Sequence, residues 1–72
     1  MMKDHIVAGQ HKETKLWQGM FYRNCPTPSG SDRPILKLST FEWYPTEKEA
    51  VEVMKSAFTP EQLVELDYPT FD

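Results

Sequence analysis

Between Asn24 and Pro34 the chain sets three prolines, Pro26, Pro28 and Pro34, among small polar residues, and this stretch separates two apolar runs. Proline donates no amide hydrogen, so a β-ladder is not expected to continue through it. On one side, Lys15 to Arg23 encloses the aromatic-rich run Leu16-Trp17-Gln18-Gly19-Met20-Phe21-Tyr22; on the other, Ile35 to Trp43 alternates with a period of two. Both runs are expected as strands, with residues 24–34 as the long hairpin loop joining them. A shorter strand from Asp4 to Ala8, turning at Gly9-Gln10, is expected ahead of the pair.

Helical signals follow the hairpin. Thr46 is placed to accept the Glu49 amide hydrogen while the Glu49 carboxylate reaches back to the Thr46 amide, which makes Thr46-Glu47-Lys48-Glu49 a capping box. Ala50, Val53, Met54 and Ala57 then recur at the spacing of a single buried stripe, and Glu47 and Glu49 sit in the first turn, where the helix dipole favours anions. The helix is expected to end near Phe58, because Thr59-Pro60-Glu61-Gln62 is a second start: a threonine cap, proline at the first position and glutamine three residues on. A short helix through Leu66 should follow, then a tail, residues 67–72, whose Tyr68 and Phe71 either pack back onto the sheet or stay free. The fold class is therefore α+β: a small antiparallel meander of two or three strands, then one main helix and a short second helix on one face.

Seventy-two residues are expected to form one small domain, and a chain this short buries only about 60% of its extended surface. Little material remains for a deep catalytic cleft, so the expectation is a non-enzyme. With Cys25 as its one cysteine the chain forms no internal disulfide, which leaves the core, a ligand or a partner chain to supply stability. The tandem Met1-Met2 is read as a start-site feature with no role of its own. Ile6-Val7-Ala8 is far shorter than a signal-peptide core or a membrane span, and a cytoplasmic protein is expected. Charge is uneven: the stretch to Arg33 carries a net +2 and the remainder −5.

Chemistry-bearing constellations are sparse. His5, His11 and Cys25 lie six and then fourteen positions apart, not at metal-ligand spacing, so no metal is expected. Cys25, between Asn24 and Pro26, has no adjacent base or helix terminus to activate its thiol and is expected to be a bystander. Capping and the helix dipole account for Glu47 and Glu49, and a solvated helix face for Glu52. Gly9, Gly19 and Gly30 are too widely spaced to cradle a phosphate, and no cofactor is expected.

One constellation is left. Trp17 and Phe21 share one parity, as do Phe41 and Trp43, while Leu16, Met20 and Tyr22, and Leu36, Leu38 and Thr40, take the opposite ones. Each strand thus has two apolar faces, and a helix pair covers only one side of a small sheet. Three arrangements account for the second side. The N-terminal segment, the loop and the tail can cover it, with Tyr68 and Phe71 as the lid. It can bind protein, a partner or a second copy in a homodimer, through Trp17, Phe21, Phe41 and Trp43, because Trp and Tyr dominate interface hot spots. Or the same aromatics can stack nucleic-acid bases while Lys12, Lys15, Arg23, Arg33 and Lys37 track the phosphates.

Trp17 and Phe21 in one strand, a second strand, and Tyr44-Pro45-Thr46-Glu47-Lys48-Glu49-Ala50 opening a helix is an order similar to the strand–strand–helix pattern of the arm-binding N-terminal domains of phage-type integrases. That resemblance implies major-groove reading by the sheet. Such domains rely on an excess of basic residues for phosphate contacts, whereas this chain is net negative. The primary expectation is accordingly a non-enzymatic binding module of accessory or regulatory type, associating with protein through the four aromatics, with nucleic acid as the alternative partner.

Overall fold

A computed structural model describes residues 3–71; Met1, Met2 and the last residue of the tail, Asp72, lie outside the described residues. Three antiparallel strands, β1 (His5–Gln10), β2 (Trp17–Pro26) and β3 (Asp32–Ser39), form a sheet in chain order, followed by α1 (Glu47–Lys55) and the short α2 (Pro60–Val64). This is the α+β arrangement the sequence implies.

Strand boundaries differ from those expected in three places, each for a local reason. β1 continues through Gly9 and Gln10, which pair with Gln18 and Trp17. The turn falls later because His11 closes it: its backbone N–H donates to the Leu16 carbonyl (2.8 Å), its Nδ1 accepts from the amides of Glu13 and Thr14, and Lys15 takes φ +62°.

Residues 24–34 are not one long loop. Asn24, Cys25 and Pro26 pair with Pro34, Arg33 and Asp32, so the turn is confined to residues 27–31. The prolines are tolerated because of where their nitrogens point. Asn24 directs its amide toward the β1 side, onto Asp4 Oδ1 (2.9 Å). Its opposite number Pro34 therefore turns its nitrogen to the outer edge, and Pro26, two positions on, turns its own past the end of β1. Pro28 occupies the second position of a β-turn closed by the Gly30 amide on the Thr27 carbonyl (2.9 Å), a place where its fixed φ is an advantage. Gly30 supplies the positive φ, +89°, at the tip.

The expected strand Ile35–Trp43 ends early, at Ser39. Thr40 still pairs with Gly19, and Tyr44 pairs with Trp17, so Phe41-Glu42-Trp43 carries two residues more than a straight register needs and loops out of the sheet. Thr40 fixes the loop, accepting the Gly19 amide on its hydroxyl (3.1 Å) and donating that hydroxyl to the Glu42 carbonyl (2.9 Å). Tyr44 and Trp17 close its far side with reciprocal backbone bonds of 2.6 and 2.7 Å.

Ile6 and Ala8 from β1 and Phe21 from β2 face the helices and join Val51, Met54, Phe58, Leu63 and Leu66 in the core. Gly19 permits close contact: a side chain there would run into the Ala50 carbonyl. Helix α1 accordingly packs on β2 and β1. Its buried residues are Ala50, Val51 and Met54, which shifts the stripe away from Val53 and Ala57, both of which are exposed. The Thr46 hydroxyl accepts the Glu49 amide (3.2 Å), but the Glu49 carboxylate meets the Thr46 hydroxyl and not its amide, so the box is half made. The complete box belongs to α2, between Thr59 and Gln62. Helix α1 ends at Lys55, and turn bonds to Ala57 and Phe58 tighten its exit. Regular α2 stops at Val64, with turn bonds continuing to Leu66.

The tail packs back. Asp67 bridges to His5 and its carbonyl accepts the Ile6 amide (2.8 Å), covering the start of the outer edge of β1. Tyr68 and Phe71 pack on the helix-side core, with the Lys55 ammonium 4.5 Å from the Tyr68 ring centre. No helix among the described residues is long and apolar enough to cross a membrane.

Candidate functional site

The four aromatics do not form one face. Phe21 lies in the core, 9% exposed, its ring 4.9 Å from that of Phe58. It shares a parity with Gly19, and Gly19 is what brings α1 down on that side. Trp17, at the head of β2, is half-buried and tied through its backbone to Tyr44. Trp43 is exposed and lies edge-on to His11, with ring centres 5.4 Å apart. Phe41, at the front of the looped-out segment, is 98% exposed.

On the helix-free face neighbouring side chains cover one another in part, while Leu36, paired with Tyr22 on that side, stays 48% exposed. His5 stacks on Tyr22 at 5.3 Å, the Tyr22 hydroxyl reaches the Met20 sulfur at 3.8 Å, and Met20 extends over Gly9. Neither Tyr68 nor Phe71 acts as its lid, since both pack on the other side.

Apolar exposure concentrates instead around β3, where all eight residues are exposed. Leu36 pairs with Tyr22 and Leu38 with Phe21, leaving Lys37 as an extra residue in a bulge, so the two leucines face opposite sides of the sheet. Leu38 looks toward α1 without reaching it. The space between is a groove of about 220 Å³ lined by Leu38, Ser39, Thr40, Val53, Met54 and Ala57. Leu38 is 48% and Val53 38% exposed along it, and Phe41 follows directly on Thr40. Sequence reasoning missed the groove, though the signal was there: Val53 and Ala57 carry an apolar stripe that the sheet does not cover.

The free backbone edge of β3 is poorly suited to pairing with another strand. Pro34 presents no amide there, Lys37 sits in a bulge, and Arg33 adds a second charge. At the opposite edge of the sheet Asp67 pairs with the first residues of β1, at His5 and Ile6.

A second recess, about 330 Å³, is lined by Asp4, Phe21, Arg23, Phe58, Gln62, Glu65 and Leu66. Asp4 is already engaged by the Asn24 amide and by Arg23 at 3.9 Å, and the lining holds no hydroxyl, thiol, amine or imidazole. His5, His11 and Cys25 stand apart: on β1, in the first turn and near the hairpin tip; among the described residues no three His, Cys, Asp or Glu side chains converge. Glu52 pairs with Lys55 at 3.6 Å. The basic residues are spread too, with Lys12 and Lys15 in the turn at one end of the sheet, Arg23 and Arg33 toward the hairpin at the other, and Lys37 between them on β3.

Comparison with family models, with curated proteins and with solved structures finds no match for this chain.

Proposed function

We propose that the chain is a small non-enzymatic binding module of accessory or regulatory type that works in the cytoplasm through association with protein, and that its contact surface is Phe41 together with the groove between β3 and α1. The observation that carries this reading is the state of Phe41. It is fully exposed, yet it stands on a short segment hydrogen-bonded at both ends and beside an apolar groove. Hiding a phenyl ring recovers about 1.5–3 kcal/mol, and an anchor held in place by its backbone loses little entropy on docking. The surface moves away from the four-aromatic sheet face expected from the sequence, because Phe21 is in the core, while Phe41 and Trp43 stay at its margin.

The test is recovery of partners on immobilised chain from extract of the native host, with and without nuclease, in parallel with Phe41→Ser. Proteins retained by the parent, resistant to nuclease and lost from the variant support the reading. Identical recovery on both chains, or recovery that nuclease abolishes, overturns it.

A further inference from the structure

We infer that the open part of the β1 edge joins a second copy of this chain, the two β1 strands pairing antiparallel around a two-fold axis at Gly9 so that two three-stranded sheets become one. Bonds on the far side of β2 fix where the backbone groups of β1 point. Gly19 gives its amide to the Thr40 hydroxyl and its carbonyl accepts the Thr40 amide, while Trp17 exchanges both backbone bonds with Tyr44. Both residues therefore face away from β1, and their opposite numbers, Ala8 and Gln10, turn their own N–H and C=O groups outward. Ile6 has the same parity and gives its amide to the Asp67 carbonyl. That short parallel ladder cannot go on, because its next bond needs an amide two residues beyond Asp67, where Pro69 stands. Among the described residues the amides of Ala8 and Gln10 have no acceptor.

The open segment, Val7 to Gln10, lacks the devices that blunt β3: it has no proline, no charged residue and no bulge. Asp67 bounds it at one end and the turn at His11 at the other, so a guest strand must be equally short. A second β1 meets that condition. Ala8 pairs with the other copy's Gln10 and Gln10 with its Ala8, each pair exchanging two backbone bonds, so every outward group of the two residues is used. The two Gly9 residues then face each other on the axis as the pair without hydrogen bonds, where opposed Cα atoms come to about 4.5 Å and side chains crowd most.

Charge agrees with this pairing. Asp67 stands beside the start of β1 and Lys12 follows its end, and neither belongs to an ion pair among the described residues. An antiparallel pair centred on Gly9 lays the Lys12 end of each copy against the Asp67 end of the other. Because Pro34 and the Lys37 bulge blunt the far edge of the sheet, assembly closes at two copies. Phe41 and the groove, on the β3 side, take no part, so this contact is independent of the protein-binding reading.

Amide hydrogen exchange of the whole chain by NMR, at tens of micromolar and at millimolar concentration, tests this beside sedimentation equilibrium. The expected result is a monomer–dimer equilibrium in which exchange at Ala8 and Gln10 slows at least about tenfold at the higher concentration, and more than at Val7 and Gly9, whose amides already bond to β2. Gln10→Pro keeps its nitrogen outward, a place where an edge strand tolerates proline, but deletes one donor from each copy and should raise the dissociation constant at least about tenfold. Gln10→Ala loses the same side-chain bond to the Lys15 carbonyl (3.1 Å) yet retains the amide, and should dimerise as the parent does. So should Phe41→Ala. A parent that stays monomeric, exchange at Ala8 and Gln10 that ignores concentration, a folded Gln10→Pro chain that dimerises like the parent, a Gln10→Ala or Phe41→Ala chain that does not dimerise, or growth beyond the dimer overturns the proposal.

Discussion

Replacing Gly19 by alanine tests the contact on which the whole architecture rests. A Cβ at this position collides with the Ala50 carbonyl and comes within 3.1 Å of both Met54 Cβ and Thr40 Cγ2. The obstacle is helix backbone and not a flexible side-chain end, so α1 has to lift. Overpacking of this kind costs about 1–3 kcal/mol and at times more. A radial gap of even 0.5–1 Å forfeits roughly a quarter to a half of the dispersion energy between the separated surfaces. Here those surfaces include fully buried Ile6 and Val51, which places the cost at the upper end. Alanine returns about 0.5–1 kcal/mol in backbone entropy, leaving a net loss of about 2–3 kcal/mol. For a chain whose total stability is on the order of 4–11 kcal/mol, that is a large fraction. The assay is urea unfolding at one fixed protein concentration, with a thermal scan in which about 10–20 °C should be lost. Gly9→Ala is the internal control, because its Cβ meets only the mobile Met20 Cε, at 2.7 Å. Gly30→Ala meets nothing within 4 Å and should cost only the backbone strain of φ +89°, about 1 kcal/mol. Gly19→Ala unfolding at the same urea concentration as Gly9→Ala would refute the reasoning.

Thr40→Val keeps the shape of the side chain but strands the Gly19 amide and the Glu42 carbonyl, and should cost about 1–3 kcal/mol; an unchanged urea midpoint excludes it. Thr46→Ala removes the cap of the helix that carries the core and should lower global stability by about 1 kcal/mol, against which parent-like unfolding would count. Thr59→Ala breaks the complete box of α2, which buries no residue, so faster amide exchange over residues 59–66 is expected with little change in global midpoint; uniform acceleration across the sheet would contradict that. Single-stranded oligonucleotides should leave the emission of Trp17 and Trp43 unquenched, because the basic residues are spread along the whole sheet of a chain with net charge −3; salt-sensitive micromolar quenching would restore the nucleic-acid reading.

Legibility in the sequence followed the range of the interactions. The α2 cap could be read because Thr59, Pro60 and Gln62 act on neighbouring backbone, and the two longer strands could be read from an aromatic-rich run and from alternation. Boundaries were lost wherever a tertiary partner decided them. Pro26 and Pro34 look like ladder breakers until the direction of the Asn24 amide shows that neither nitrogen is needed. The turn at His11 depends on an imidazole accepting two amides, which no glycine rule detects. The loop of Phe41 rests on Tyr44 finding Trp17, a register shift invisible in a sequence that continues its alternation through Trp43. The same distinction governs the site. That one side of the sheet would lack helical cover was legible; which residues would be uncovered depended on where α1 came to rest.

Gly19 decides where that is. A helix over ordinary β-residues is held off by side chains and can sit across several strands. Over Gly19 it sinks until its own backbone is in contact, which centres it on β2. From that position Val51 and Met54 turn inward with Ile6, and the space Val53 and Ala57 would otherwise fill against β3 is left open. Thr40 acts at the same point: its hydroxyl takes the Gly19 amide, its methyl faces the position a Gly19 Cβ would occupy, and the Phe41 loop begins at the next residue. Helix position, groove and exposed phenyl ring thus arise from one local arrangement. It follows that a lifted helix in Gly19→Ala should alter the groove as well as the stability, so that whatever fraction of the variant remains folded should also associate more weakly than the parent. Full-strength association by a folded Gly19→Ala chain would separate the groove from the helix contact and place the binding energy on Phe41 alone.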